Sequence, residues 1–471
     1  MKKIFFCVLP VLMFLTCTRE LSEPKVFSLA GTASLSGQSD YSGITVELYT
    51  VAPLDTAIAN RLTRFPSVGV DLKQDPLFDH RLAEPVYATE TDAEGKFAFN
   101  DIPDDRYHLV AEKPGYGWRY HLNISNATAA QPIESKLFLE MTSPGAIETY
   151  TVWPANHHII LNNNLVIREG GTVLIDKGCV VRLGGDYEIR GDGAIQVNGT
   201  VDDMVWFTAN TPSKDTGYIA WRGIVANGSA DLNFARIDFA ETGIRISSSE
   251  YIIRNSLVSK IGSNGILIAR ESNGTLEDNA LVDCSTGLRV EGNSFATIQY
   301  NLFLQMENRL FGTGVAINDS RAIVENNIFR GFSLGFTFEF SSYGDFTHNL
   351  VEACESGIYI NKASTDKEKP VVIKSNILQN CSEAIIQIFN CNSPVVESNN
   401  FSAYDSYLIS GYAVHWQNEK AVYFPNNFWG MTIESDILAQ IYMADNEVNS
   451  PPYIVHVNPI ATQPFGDAGP R

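Results

Sequence analysis

RNSLVSKIGSNGILI (254–268), EDNALVDCSTGLRV (277–290), QYNLFLQMENRLFGTGVAI (299–317), NNIFRGFSLGFTF (326–338), THNLVEACESGIYI (347–360) and SNILQNCSEAIIQI (375–388) are six versions of one pattern. Each runs from an asparagine through a short apolar stretch to a second apolar strand, opened in the first five by glycine. The aligned asparagines are Asn255, Asn279, Asn301, Asn327, Asn349, Asn376 and Asn399, with Asn426 continuing, at intervals of 24, 22, 26, 22, 27, 23 and 27. Gly243, Gly265, Gly287, Gly314, Gly335 and Gly357 keep step at 22, 22, 27, 21 and 22. Intervals of this length with two-residue alternation describe a coil of β-strands, one turn per repeat, and no 3.6-residue face competes. Asparagine suits such a turn because it tolerates a left-handed backbone, and stacked amides can satisfy one another when buried. Glycine allows backbone freedom or close approach. Pairs such as Ile266/Ile268, Leu288/Val290 and Phe336/Phe338 then pile into an apolar column.

Working outward, the repeat covers about 280 residues and resembles the right-handed parallel β-helix of pectate-lyase-like proteins. GTVLIDKGCVVRL, GAIQVNGT, VWFTAN and WRGIVANG between 170 and 228 match that family's opening turns, and Asn426-Asn427-Phe428-Trp429-Gly430 its close. The resemblance implies about 12 rungs over 144–432, roughly 55–60 Å long at strand spacing, then a C-terminal helix and tail over 433–471.

Upstream, 26–143 alternates in short runs broken by Gly, Pro and Asp, as in Gly43-Ile44-Thr45-Val46-Glu47-Leu48-Tyr49. Thr91-Asp92-Ala93-Glu94-Gly95, Ile102-Pro103 with Tyr107 and Leu109, and Pro114-Gly115-Tyr116 resemble a carboxypeptidase regulatory-like domain, a small β-sandwich without catalytic machinery. The resemblance implies a spacer or docking module. Residues 51–84 form an insertion with several prolines and no clear period.

The chain opens with Lys2 and Lys3 before a 13-residue apolar stretch, Ile4 to Thr16. A membrane span needs roughly 20 apolar residues, so 1–16 read as a signal peptide. The stretch ends at Cys17, which resembles a bacterial lipoprotein signal; 17–25 is then a linker behind a lipidated cysteine. The resemblance implies an exported, lipid-anchored protein of the outer membrane or cell surface, touching membrane through that anchor alone. An ordinary cleaved signal with an incidental cysteine is the other reading.

The 471 residues carry 34 Lys+Arg and 54 Asp+Glu, a net charge of −20, or −22 once two lysines leave with the signal. Such a surface repels phosphate backbones and excludes nucleic-acid binding. No Cys or His spacing suits a metal, so none is assigned and no cofactor is implied; calcium held by carboxylates stays open. Cys284, Cys354 and Cys381 share a column, each five residues past its asparagine, and the last two either bond or pack as small apolar groups.

The strand after each glycine turns two columns outward. They hold Arg245, Arg289 and Tyr359, and Glu291, Asn318, Glu339 and Asn361. Arginine, amides and a tyrosine ring are binding chemistry for a sugar chain. Glu291 and Glu339, two rungs and about 9–10 Å apart, barely touch the roughly 6.5–9.5 Å window of an inverting glycosidase. The sequence therefore supports a monomeric, non-catalytic surface protein binding or presenting polysaccharide. A polysaccharide lyase or glycoside hydrolase, and an adhesin for other proteins, are the alternatives.

Overall fold

The computed structural model describes residues 25–471 except 130, 214–219, 248, 307–309, 365, 367, 416–419 and 445–452. The signal stretch and Cys17 lie outside the described residues. From Met141 onward the chain winds into an all-β solenoid whose strands pair in parallel, rung on rung. One side is an eleven-stranded sheet from Tyr150–Trp153 to Val395–Glu397, giving eleven turns rather than about 12. The other two sides join as one bent sheet, because strands such as Leu257–Ala269 and Ala280–Val290 run unbroken around the corner between them. Met141–Thr142 and Ala146–Ile147 already pair with His158–Leu161 and Leu165–Ile167, so the first rung begins before residue 144.

Parallel register fills the interior with columns of like residues. Ile253, Leu276, Ile298, Val324, Phe346 and Ile373 form one, Val258, Leu281, Phe303, Phe329 and Val351 a second, all buried. Phe303 and Phe329 stack with ring centroids 4.9 Å apart. Each such side chain contributes about 1.5–3 kcal/mol when removed from water.

The corner before the covered sheet holds the amide ladder, in a register that corrects two of its expected members. Asn279 donates from Nδ2 (2.9 Å) and backbone N (3.0 Å) to Oδ1 of Asn301. Asn301, Asn327, Asn349, Asn376 and Asn399 repeat the arrangement up to Asn427. Asn427 ends it by donating to the Val396, Phe424 and Pro425 carbonyls. At the other end the column holds Ser256, whose backbone N donates to Asn279 Oδ1 at 3.0 Å. Asn255 and Asn426 stand one position early; Asn255 donates to Asn233 instead, at 2.9 Å. The left-handed backbone also belongs to that earlier position: Asn255, Asp278, Tyr300, Asn326, His348, Ser375, Ser398 and Asn426 have φ between 52° and 60°. Ladder asparagines are therefore required for their side-chain amides, not for the turn.

The glycine column answers to close approach. A Cβ on Gly314 would stand 2.3 Å from the Gly335 carbonyl oxygen, and one on Gly335 2.6 Å from that of Gly357. Cys179, Cys284, Cys354, Cys381 and Cys391 are buried and unbonded, so Cys354 and Cys381 take the packing role.

Before the solenoid, Val26–Leu35 pairs with Lys96–Pro103 and Ile133–Leu137, and a four-stranded sheet forms from Tyr87–Glu90, Thr45–Thr50, Tyr107–Lys113 and Gly117–Ile124. Their facing apolar residues, among them Leu29, Val46, Phe97 and Leu109, form a core of their own. The insertion is structured as a strap. Asp55 caps the helix Thr56–Arg64 by accepting from Ala57 and Ile58 backbone N–H groups. Ile58, Leu62, Phe65, Val68 and Leu72 then cover Leu257, Ala280, Leu302, Ile328 and Leu350 on the outside of the solenoid. Arg61 and Arg330 clamp Glu352, whose side chain is fully buried, at 2.8 and 2.9 Å. Further along, Arg236 donates to the carbonyls of Pro76, Leu77 and Phe78 and lies 3.9 Å above the Trp206 ring. Trp118 from the upstream sheet meets Trp206 at 5.9 Å. One side of the solenoid is thus closed off.

Candidate functional site

Of the two sides left without that cover, the one formed by the second arm of the bent sheet carries the residues singled out above. Strand register aligns Arg245, Leu267, Arg289, Ala316, Thr337, Tyr359, Gln387 and Ser410 in one outward column. Asn318, Glu339, Asn361, Phe389 and Tyr412 align in the next. Period-two alternation puts these side chains out while Ile317, Phe338 and Ile360 point into the core.

Arg289, Glu291 and Asn318 form one polar unit. Arg289 Nε donates to Glu291 Oε2 at 2.9 Å. With the Asn318 amide turned so that its oxygen faces the guanidinium, it accepts from Arg289 Nη2 at 2.7 Å and donates to the Ile317 carbonyl at 3.1 Å. Arg245 stands two rungs away behind Leu267, outside this unit. Glu339 is half-buried in the next rung, and burial lifts its carboxyl above the usual carboxylate range, against the opposing pull of Arg289. Burial likewise raises the Tyr359 phenol. Among the described residues, Asn361 Oδ1, beside Glu339, has no hydrogen-bond partner.

Beyond Tyr359 the face turns aromatic. Its ring lies 5.5 Å from Phe389, which lies 4.9 Å from Tyr412. Asn390 Nδ2 donates to the Tyr412 hydroxyl at 3.2 Å. Phe389 and Tyr412 were missing from the sequence-based set, although SNILQNCSEAIIQIFN carried the signal: extending the register one strand places Gln387 on Tyr359 and Phe389 on Asn361. Among the described residues, no three His, Cys, Asp or Glu side chains stand together as a metal site, and no helix is long and apolar enough to cross a membrane.

This arrangement offers a row of rings, tilted 48° and 51° to one another, beside amides, a hydroxyl and a paired arginine. The rings can stack on the apolar faces of sugars, and the amides can bond hydroxyls. Of the two carboxyl groups, Glu291 is paired with Arg289, and Glu339 is the one that burial raises above the usual range.

A family model described as "Right handed beta helix region" matches residues 151–303 and 284–428. A search of curated proteins finds no match. Among solved structures, a crystal structure of a point mutant of the periplasmic alginate epimerase AlgG aligns with a TM-score of 0.42 and 12% identity, covering 68% of this chain and 78% of that one.

Proposed function

Because the chain belongs to the right-handed β-helix family, with one side of the coil closed by its own strap, we propose that the uncovered side of the bent sheet binds an extended, neutral polysaccharide. The row Tyr359–Phe389–Tyr412 carries this reading, with ring spacings of 5.5 and 4.9 Å. Successive rungs repeat at about 4.8 Å, near the rise of a sugar in an extended chain, so several sugars can meet equivalent columns. Neutral chains fit better than polyuronates: the arginine at the centre of the face is already engaged by Glu291 and Asn318, and the protein is net negative at −20. The opening Lys2–Cys17 supports an exported, lipid-anchored protein, and the upstream sheets resembling a carboxypeptidase regulatory-like domain a spacer that holds the coil away from the anchor. Adhesion to other proteins has no separate observation in its favour.

The test is a screen of the purified protein against neutral and uronate glycans, reading both retention and released products. Retention of neutral chains, weakened about tenfold or more in a Tyr359→Ala, Phe389→Ala double variant, is expected from the loss of two stacking rings. Undiminished retention by that variant overturns the proposal. A second reading, cleavage of the chain, rests on the raised Glu339 carboxyl. It requires released or unsaturated products that disappear in Glu339→Gln.

A further inference from the structure

Around the corner from the open face, where each rung turns into the eleven-stranded sheet, the surface opens into a groove of about 490 Å³. That is within the range of small-molecule sites. Its walls come from successive rungs and a longer turn: Phe295, Arg321 and Tyr343 are register partners at the starts of three adjacent strands. Asp319, Asp366 and Lys369 stand at its rim. The Arg321 guanidinium lies 5.1 Å from the Phe295 ring centre and 6.0 Å from that of Tyr343, and Lys369 Nζ lies 5.5 Å from the latter. Among the described residues, neither cation is within ion-pair distance of a carboxylate. Local bonds hold the described residues around Lys369. Ser364 N donates to the Ser342 carbonyl at 2.9 Å, and Lys369 N to the Asp366 carbonyl at 3.1 Å. Glu368 N donates to Asp366 Oδ1 at 3.0 Å.

We propose that this groove is a second binding site, separate from the open face, for a sugar residue carrying an anionic group, either a carboxylate or a sulfate ester. Two free cations on one aromatic floor meet its two requirements together. Arg321 can take a carboxylate or sulfate through two parallel N–H donors, with Lys369 as a second point charge. The Tyr343 ring offers a surface to the C–H face of the same sugar, and Asp319 and Asp366 can accept from its hydroxyls. Arg289 on the open face is instead paired with Glu291, whereas among the described residues neither cation of the groove has an ion-pair partner. The inference stands on different residues from the function proposed above and does not depend on it.

Titration calorimetry of the full chain against trigalacturonate, a 6-sulfated galactose trimer and an uncharged galactose trimer tests it. Either acidic probe should bind at least about tenfold more tightly than the neutral trimer, with affinity falling as salt rises. The better of the two acidic probes identifies the group. Arg321→Gln should cost about tenfold and Lys369→Gln about threefold in affinity for the acidic probe, from loss of charge-assisted bonds. Both side chains are exposed, so an unchanged thermal midpoint shows that the fold is intact. Equal affinity for charged and uncharged probes, or full affinity in Arg321→Gln, overturns the site. A protein that takes the acidic probe but retains no neutral chain keeps this groove and removes the open-face reading; the opposite pattern removes the groove alone.

Discussion

Two sides of the same coil, built from the same rungs, meet opposite surroundings. On the covered side, the strand Leu302–Leu304 is buried at all three positions, its outward Leu302 and Leu304 packed under the strap and its central Phe303 in the core. On the open side, Ile358, Tyr359, Ile360 and Asn361 alternate, with Ile358 and Ile360 buried and the outward Tyr359 and Asn361 partly exposed. A parallel sheet with a cover on both faces loses the two-residue alternation, and one with a single cover keeps it. The difference therefore separates surface kept for contact with other molecules from surface consumed by the fold.

The comparison is tested most severely at Glu352. Glu352→Ala leaves Arg61 and Arg330 facing each other without their shared carboxylate, an expected loss of about 3–5 kcal/mol in chemical unfolding. If the strap acts chiefly through its apolar contacts, adding Arg61→Met and Arg330→Met should restore most of that loss. At the ladder, Asn327→Leu strands the amide of Asn301 and the carbonyls of Ile298 and Glu325, costing about 1–3 kcal/mol. Asn255→Gly, outside the column and able to keep the left-handed backbone, should cost less, about 1 kcal/mol or under, from loss of the bond to Asn233.

Acid should loosen the covered side first. His158 is buried against Trp118, and burial lowers its imidazole from 6.5 to about 3. The unfolded chain takes up that proton near pH 6.5, whereas the folded chain refuses it until about 3. Stability is thus complete above 6.5 and drains away as pH falls toward 3, by about 1–2 kcal/mol at pH 5. A His158→Gln variant should unfold with a flatter pH profile. The smallest effect belongs to the open side: Tyr359→Ala with Phe389→Ala should change stability by under about 1 kcal/mol while weakening glycan retention. A larger destabilisation would make those rings part of the fold rather than a contact surface.

The coil itself was legible because its causes repeat. Glycine recurs wherever an added Cβ would come within about 2.6 Å of the next rung's carbonyl oxygen, as at Gly314 and Gly335. The ladder was legible to within one residue at its ends. There Asn255-Ser256 and Asn426-Asn427 each offer two polar side chains, and only the stacking decides which one faces inward. Asn255 and Asn426 have the left-handed φ, and Ser256 and Asn427 face the column. The strap's helix carried local marks, Asp55 as its cap and Ile58, Leu62 and Phe65 at helical spacing, but its partners Leu302 and Leu350, more than 200 positions distant, were not legible. The triplets ALV, LFL and LVE did carry the mark of a second cover. Of the open face, the polar unit followed from alternation; the pairing that neutralises Arg289 depends on side-chain geometry. The groove at Arg321 joins residues from three rungs and a turn of irregular length, which no fixed interval reveals.

A column of identical amides is also a template, since every rung presents the donors and acceptors that another copy could continue. Left open, such an end would favour end-to-end joining into filaments. In this chain the last amide, Asn427, bonds to the Val396, Phe424 and Pro425 carbonyls much as Asn376 and Asn399 bond to carbonyls within the stack, so its donors alone do not close the end. The tail adds bridges from Asn427 to Ile460 and from Ala421–Tyr423 to Ile454–His456. The end of the coil is thus covered by the chain's own tail, which takes backbone positions that another copy would otherwise pair with.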